Sequence, residues 1–479
     1  MSNAAPDAEQ VGDQPELKRV MGPGLLLLFI VGDVLGTGVY ALTGKVAGEV
    51  GGAAWAPFLV AFAIAMITAF SYLELVTKHP QAAGAALYTH KAFGIHFVTF
   101  MVAFTVMCSG ITSASTAARA FGANFGIAFN VGLDEAGEAA TPTTTGIIAV
   151  VFILLVAAIN LRGVAESVKT NVVLTMIELS GLLLVIMIGL WAIAGGDADF
   201  SRVVIFESNA ERGAFTSVTA ATALAFFAMV GFEDSVNMAE ETKDPVRTFP
   251  KMMITGLTIT GIIYVLVSIV AVALVPLGEL SESATPLVNV VETGAPNFPF
   301  DDLFPFISMF AVANSALINM MMASRLLYGM GKQQVLPAFL SRVLPERRTP
   351  WAAIIFTTVI ALGLILYVGR LSSTAVETLG GTTSLLLLGV FTVVNVVVLV
   401  LRRENLEREH FRAPTILPVI GFLACAFLVT PLSGRDSEQY KVAGFLLAGG
   451  VVLWAITWFA NRALRSKKTF IRDPNDLAG

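Results

Sequence analysis

Three features of this chain could do chemistry in an apolar setting. The first is Gly36-Thr37-Gly38, inside the stretch VGDVLGTGVY at 31–40. The second is Gly231, inside TALAFFAMVGFEDSVNMAEE at 222–241. The third is a pair of carboxylates within apolar runs, Asp33 and Glu178. Glycine weakens a helix and reaches dihedrals that other residues avoid. A helix broken in mid-membrane offers N–H groups that attract an anion and freed carbonyls that attract a cation. Two such breaks suit a zwitterion, and an α-amino acid carries its carboxylate and ammonium one carbon apart. On this reading the backbone around Leu35, Gly36, Thr37 and Gly38 holds the carboxylate. Carbonyls near Phe227, Ala228 and Val230 hold the ammonium, and Phe226 and Phe232 act as gates or as packing.

The elements that must position these groups are membrane helices. Of the 479 residues, 56% are hydrophobic and 14% charged, with a mean hydropathy of +0.77. A soluble domain of this size exposes more charge. Apolar windows fall at about 22–44, 54–77, 96–118, 144–161, 170–194, 215–237, 252–276, 303–324, 350–369, 377–400, 416–432 and 443–461. These twelve windows are long enough to span a bilayer, and lipid admits helices but not open strands. The period-2 alternation of a membrane barrel is absent. Of the 30 Lys and Arg, 23 fall on the side of the termini, which places both termini in the cytoplasm of a plasma-membrane protein. The opposite loops are acidic, as in LDEAGEAATP and GELSESATP.

The expected organisation is a disordered tail at 1–20, a transmembrane unit at 21–463 and a C-terminal tail at 464–479. Within the unit, a first repeat covers about 21–195, a second about 213–401, and two further helices about 415–463. The polar loop KHPQAAGAALYTHKAFG reads as an interfacial helix, and Trp55, Trp191 and Trp351 as interface anchors. Cys108 and Cys425 lie far apart in apolar runs and read as core packing. For span 1 alone, small-residue helix packing competes with a break. Span 6 shifts that balance. It is interrupted at the same relative depth five spans later, and an odd repeat length inserts the second copy upside down.

At this point the residues resemble those of a known family, the amino acid–polyamine–organocation (APC) permease superfamily. GDVLGTGVYALTG is similar to its glycine-rich first span, and PQAAGAALY to its P-x-x-G-G-x-Y loop, with Ala85 in place of the second glycine. FFAMVGFEDSVNMAEETKDPVRTFPK is similar to its sixth span and following loop, and SRLLYGMGKQQVLP to the end of its eighth. The resemblance implies an all-α polytopic fold of twelve transmembrane helices. It implies a five-plus-five inverted repeat with helices 1 and 6 broken, two peripheral C-terminal helices and alternating access. It also implies an amino acid or related amine as substrate, held at Gly36, Thr37, Gly38, Phe227, Ala228 and Val230.

The buried charges depart from that pattern. Aspartate at the centre of a span costs about 2.5–3.5 kcal/mol on insertion scales, so Asp33 and Glu178 are functional candidates. Several proton-coupled relatives carry lysine where this chain has Glu178. A carboxylate there attracts a cation or takes up a proton, which makes Glu178, with Asp33, the coupling group. The proton leads and sodium is second; for sodium, Asn314 and Ser315 add oxygens. A structural hydrogen bond is the competing role for Glu178 and for Asp33. Glu233 and Asp234 read as lining an intracellular exit and pairing with loop Lys or Arg, and AEETKDPVR as a latch of charge pairs with a helix stop at Pro245.

The expected function is therefore secondary active transport of an amino acid, by proton symport. A sodium-coupled or exchange-mode amino acid or polyamine transporter is the alternative, and a channel or membrane sensor the alternative of another class. No cofactor, metal site or nucleic-acid partner is expected, only a small-molecule substrate and membrane lipid. An intramembrane aspartyl protease would need two aspartates on adjacent spans in matching motifs, and V-G-D at 31–33 has no counterpart.

Overall fold

The computed structural model describes residues 19, 21–81, 84–134, 139–162, 168–196, 198–208, 213–239, 241–296, 300–345, 347, 349–371, 374–404, 409–464, 469 and 471. The tails expected at 1–20 and 464–479 lie almost wholly outside these residues. The helices, in order, are α1 (Pro23–Val50), α2 (Trp55–Lys78), α3 (Gly84–Phe93), α4 (His96–Ala128) and α5 (Pro142–Leu161). Then come α6 (Val168–Gly195), α7 (Ala214–Ala225), α8 (Pro245–Leu274), α9 (Leu277–Glu282) and α10 (Pro286–Gly294). The chain ends with α11 (Phe300–Lys332), α12 (Trp351–Leu371), α13 (Ala375–Leu401), α14 (Ile416–Val429) and α15 (Ser437–Leu464). Among the described residues, 11 segments are long and apolar enough to cross a membrane, and α14 is a shorter apolar twelfth. No strand occurs among them, apart from isolated bridges. The molecule is a multi-pass membrane protein.

Proline and caps start several helices. Pro23, Pro142, Pro245 and Pro286 open α1, α5, α8 and α10, where a missing N–H removes no helical bond. Thr141 caps α5 by accepting from the Thr144 N–H at 3.4 Å. Pro245 thus starts a helix, whereas the sequence reading took it as a stop.

Two groups of helices form the body. α1, α2, α7 and α8 pack on one another, and so do α4, α5, α11 and α12. α6 touches α1, α8 and α11, while α13 touches α2, α4 and α7, so these two bridge the groups. α1 is apolar on every side and buried along most of its length, as expected of a central span.

Several loops differ from expectation. α3 packs against α4 and α13 with Tyr88 wholly buried, which pushes its phenol pKa up, while Lys91 and Phe93 near its end are exposed. The proposed latch carries a charge pair, Arg247 to Asp244 at 3.8 Å, beside a backbone contact with the start of α1. Met21 N–H donates to the Glu241 carbonyl at 3.0 Å, and Lys243 N–H donates to the Met21 carbonyl at 2.9 Å. Cys108 and Cys425 are both buried, the latter 3.7 Å from the Thr68 hydroxyl.

Candidate functional site: two broken helices in contact

The two breaks meet at the centre of the molecule. Gly36 leaves helical dihedrals at φ −7°, ψ −158°, halfway along the 28 residues of α1. In span 6, α7 ends at Ala225 and tightens into a 3₁₀ turn at Phe226–Met229. Val230 is extended, Gly231 has φ +122°, and a second 3₁₀ turn runs over Asp234–Met238. A positive φ of that size is glycine territory. Close approach constrains the same backbone. A Cβ on Gly231 would lie 2.7 Å from the Asp33 carbonyl oxygen, and one on Gly38 would lie 2.4 Å from the Ala228 Cα. The two interrupted chains are therefore in backbone contact, which side chains at these positions would forbid.

The break frees polar backbone groups, and each needs a partner in an apolar setting. The Tyr264 hydroxyl of α8 donates to the Val34 carbonyl. Glu233 turns its carboxylate back on the second break and accepts from the Gly231 N–H at 2.9 Å. This differs from the expected exit pairing: among the described residues neither Glu233 nor Asp234 forms an ion pair with a loop cation. The carboxylate satisfies a broken backbone instead.

Around the contact lies a small chamber of about 20 Å³. Asp33, Gly36, Thr37 and Gly38 of α1 line it, with Phe227, Val230, Gly231 and Asp234 of span 6, Ser113 of α4, and Ser315 and Asn319 of α11. Its volume suits about one water molecule rather than an amino acid. A second small cavity shares Val230, Asp234 and Asn319 with it and continues past Ser109 and Glu233 towards Leu326. Thr37 is 3% exposed and its hydroxyl has no hydrogen-bond partner. The Ser315 hydroxyl lies where a Cβ on Gly36 would come within 2.7 Å. Asn319 donates to the Ser315 carbonyl at 2.9 Å.

The structure sorts the residues singled out in the sequence. Gly36, Thr37, Gly38, Phe227, Val230, Asp33 and Ser315 line the chamber. Ala228 backs Gly38, while Leu35 and Asn314 are buried but absent from the lining. Phe226 and Phe232 lie away from it, in an aromatic cluster: Phe232 packs on Tyr72 at 5.8 Å and on Phe391 at 5.3 Å, and Phe226 on Phe391 at 5.9 Å. That is a packing position between α2 and α13. The sequence reading passed over Ser113 and Asn319. Asn319 follows Ser315 by four residues, hence on the same helix face, which was the available signal.

Glu178 occupies the seam between α1, α6 and α8. It is fully buried, and neither carboxyl oxygen has a hydrogen-bond partner. The Tyr40 hydroxyl donates to its backbone carbonyl at 3.0 Å and not to its carboxyl group. One turn earlier, Thr175 is so close to α1 that a Cβ on Gly32 would lie 1.8 Å from its hydroxyl oxygen. Glu178 itself does not line the chamber.

Comparison with known proteins adds to this geometry. A family model described as amino acid permease matches residues 25–461. The chain is 26% identical over 455 residues to the branched-chain amino acid permease BcaP of Bacillus subtilis, covering 92% of this chain and 93% of that one. It is 26% identical over 432 residues to the methylthioribose transporter of the same organism, covering 87% and 89%. It is 30% identical over 346 residues to the chloroplastic cationic amino acid transporter 9 of Arabidopsis thaliana, covering 69% of this chain and 58% of that one.

Proposed function

The chain belongs to the amino acid permease family, and from that membership we propose a secondary active transporter that carries an amino acid across the plasma membrane by proton symport. It is a carrier and not an enzyme. The observation that carries the proposal is the contact of two broken helices beside a chamber lined by backbone of both and by the unpartnered Thr37 hydroxyl. N–H groups at Gly36, Thr37 and Gly38 take the substrate carboxylate, and carbonyls at Phe227, Ala228 and Val230 take its ammonium. Thr37 offers a free hydroxyl beside them.

The chamber wall carries Asp33 and Asp234 and no Lys or Arg. Like charges repel at close range, so neutral and cationic amino acids fit and acidic ones do not. The names of the relatives span the same range, from branched-chain to cationic amino acids. A volume of about 20 Å³ supports a closed form in which α1 and span 6 must separate to admit the solute.

Glu178 is the coupling carboxyl in this reading. An uncompensated charge in an apolar seam is strongly disfavoured, and a proton removes it without any further ligand. The lack of any side-chain partner argues against a structural hydrogen bond for Glu178. The excess of Lys and Arg on the side of the termini supports a cytoplasmic location for that face.

The test is uptake into proteoliposomes. Labelled leucine, lysine and glutamate are offered with an imposed pH gradient, then with an imposed sodium gradient at fixed pH. The expected result is saturable uptake of leucine or lysine driven by the pH gradient, with glutamate excluded. Glu178→Gln should lose gradient-driven accumulation while keeping substrate exchange. Accumulation that follows sodium alone, or survives unchanged in Glu178→Gln, sinks the proton assignment.

A further inference from the structure

The last two helices were expected to be peripheral, yet the turn between them reaches the broken sixth span. After α14 the chain makes a 3₁₀ turn at Pro431–Ser433, passes Gly434 at φ +80° and begins α15 at Ser437. This turn lies along α7. The Thr219 hydroxyl donates to the Ser433 carbonyl at 3.0 Å. A Cβ on Gly434 would lie 2.5 Å from the Thr216 methyl. Arg435 Nη2 reaches the Ala223 carbonyl at 3.4 Å. Thr216, Thr219 and Ala223 are spaced as one face of a helix, so the contact is a strap down two turns of α7.

Arg435 anchors the strap. Its guanidinium is buried and finds an acceptor for every donor. Nε donates to the Leu428 carbonyl at 2.7 Å. Nη1 donates to the Gly381 carbonyl and to the Gln439 side-chain oxygen, both at 2.9 Å. Nη2 donates to the Ser384 hydroxyl at 2.8 Å as well as to Ala223. The Ser384 hydroxyl itself donates to the Ala223 carbonyl at 2.5 Å. Burial lowers the guanidinium pKa to about 10, so it remains a cation at neutral pH. Its direct partners are carbonyls and polar side chains, and Glu49, Glu377 and Asp436 line the same small cavity.

These contacts fall at the sensitive point. Ala223 lies in the last turn of α7, directly before the 3₁₀ turn of the break. Gly380, beside Gly381, packs on the Phe227 ring, with a notional Cβ 3.4 Å away, and Phe227 lines the chamber. Arg435 thus joins three pieces: the α14–α15 turn, α13, and the end of α7 from which the substrate carbonyls emerge.

We infer that Arg435 is a positioning residue for transport, which clamps the broken end of α7 to α13 so that the carbonyls after it face the gap in α1. The inference rests on the reading that an amino acid binds between the breaks. Arg435→Lys keeps the charge but can supply at most three of the five donors and loses the planar fork. Ser384→Ala removes the bridging hydroxyl and leaves the cation in place.

Both variants are purified as full chains and measured in two ways. The first is initial uptake of labelled leucine and lysine into proteoliposomes. Arg435→Lys should raise KM about tenfold and Ser384→Ala about threefold, with the maximal rate changed less than about threefold. A merely structural role would lower yield and maximal rate together and leave KM alone. The second is hydrogen–deuterium exchange of residues 214–230, which needs no substrate and should speed up in both variants. Wild-type protein that takes up neither amino acid overturns the transport reading, while the exchange measurement still decides the clamp. Wild-type exchange over 214–230 in both variants, or an unchanged KM in both, overturns the inference.

Discussion

Gly38→Ala tests the crossing of the two breaks most directly. The added methyl would sit 2.4 Å from the Ala228 Cα and 2.9 Å from its backbone nitrogen. Carbon atoms settle at about 3.5–4.0 Å, so one backbone must retreat by about 1 Å. No flexible side chain absorbs that shift, because the atoms met are main chain and the rigid Ala228 Cβ. Overpacking of this kind costs about 1–3 kcal/mol. The cost falls on the closed arrangement and not on forms in which the helices have separated. At about 1.4 kcal/mol per factor of ten, transport through the closed form should fall about 5- to 150-fold. Gly363→Ala is the control, since a Cβ there meets nothing within 4 Å. Initial uptake of leucine and lysine into proteoliposomes gives the rate, and thermal melting of the purified protein shows that both variants fold. Wild-type uptake by a folded Gly38→Ala protein would refute the claim that the two chains must touch for transport.

Three further outcomes follow from the same structure. Tyr264→Phe deprives the Val34 carbonyl of its hydroxyl partner; a buried acceptor left unsatisfied costs about 1–3 kcal/mol, read as a lower melting temperature and slower uptake. Glu74→Ala strips the two carboxylate bonds from Arg402, at 2.8 and 2.6 Å, and the carboxylate that raises its pKa. Breaking a buried pair from one side costs about 3–5 kcal/mol, so this variant should melt well below wild type in the same detergent. Burial, then the charges of His96 and Lys91, holds the pKa of His90 below the usual imidazole range. The unfolded chain therefore binds a proton that the folded one resists, so stability declines as pH falls through about 6.5. The decline should shrink in His90→Gln, and a pH profile of melting identical to wild type would remove His90 from the account.

The sequence by itself determined the class of the molecule. Apolar runs of membrane length dictate helices, because lipid leaves no other way to satisfy the backbone. Glycines at 36, 38 and 231 mark the breaks, since weak helix propensity and freedom at φ are local properties that one residue carries. What those glycines touch was not legible. Gly38 against Ala228, and Gly231 against the Asp33 carbonyl, are contacts between residues about 190 positions apart, fixed by how eight or more helices pack. For the same reason phenylalanines that looked like gates lie in an aromatic core, and Glu233 serves a backbone N–H instead of a loop cation. Arg435 is the plainest case: in sequence it is one arginine in the short loop between the last two apolar runs, and its five acceptors come together from four separate helices and their ends. Propensity and hydropathy act along the chain, so sequence reveals them; partnership in a low-dielectric interior depends on which surfaces meet, and tertiary packing alone decides that.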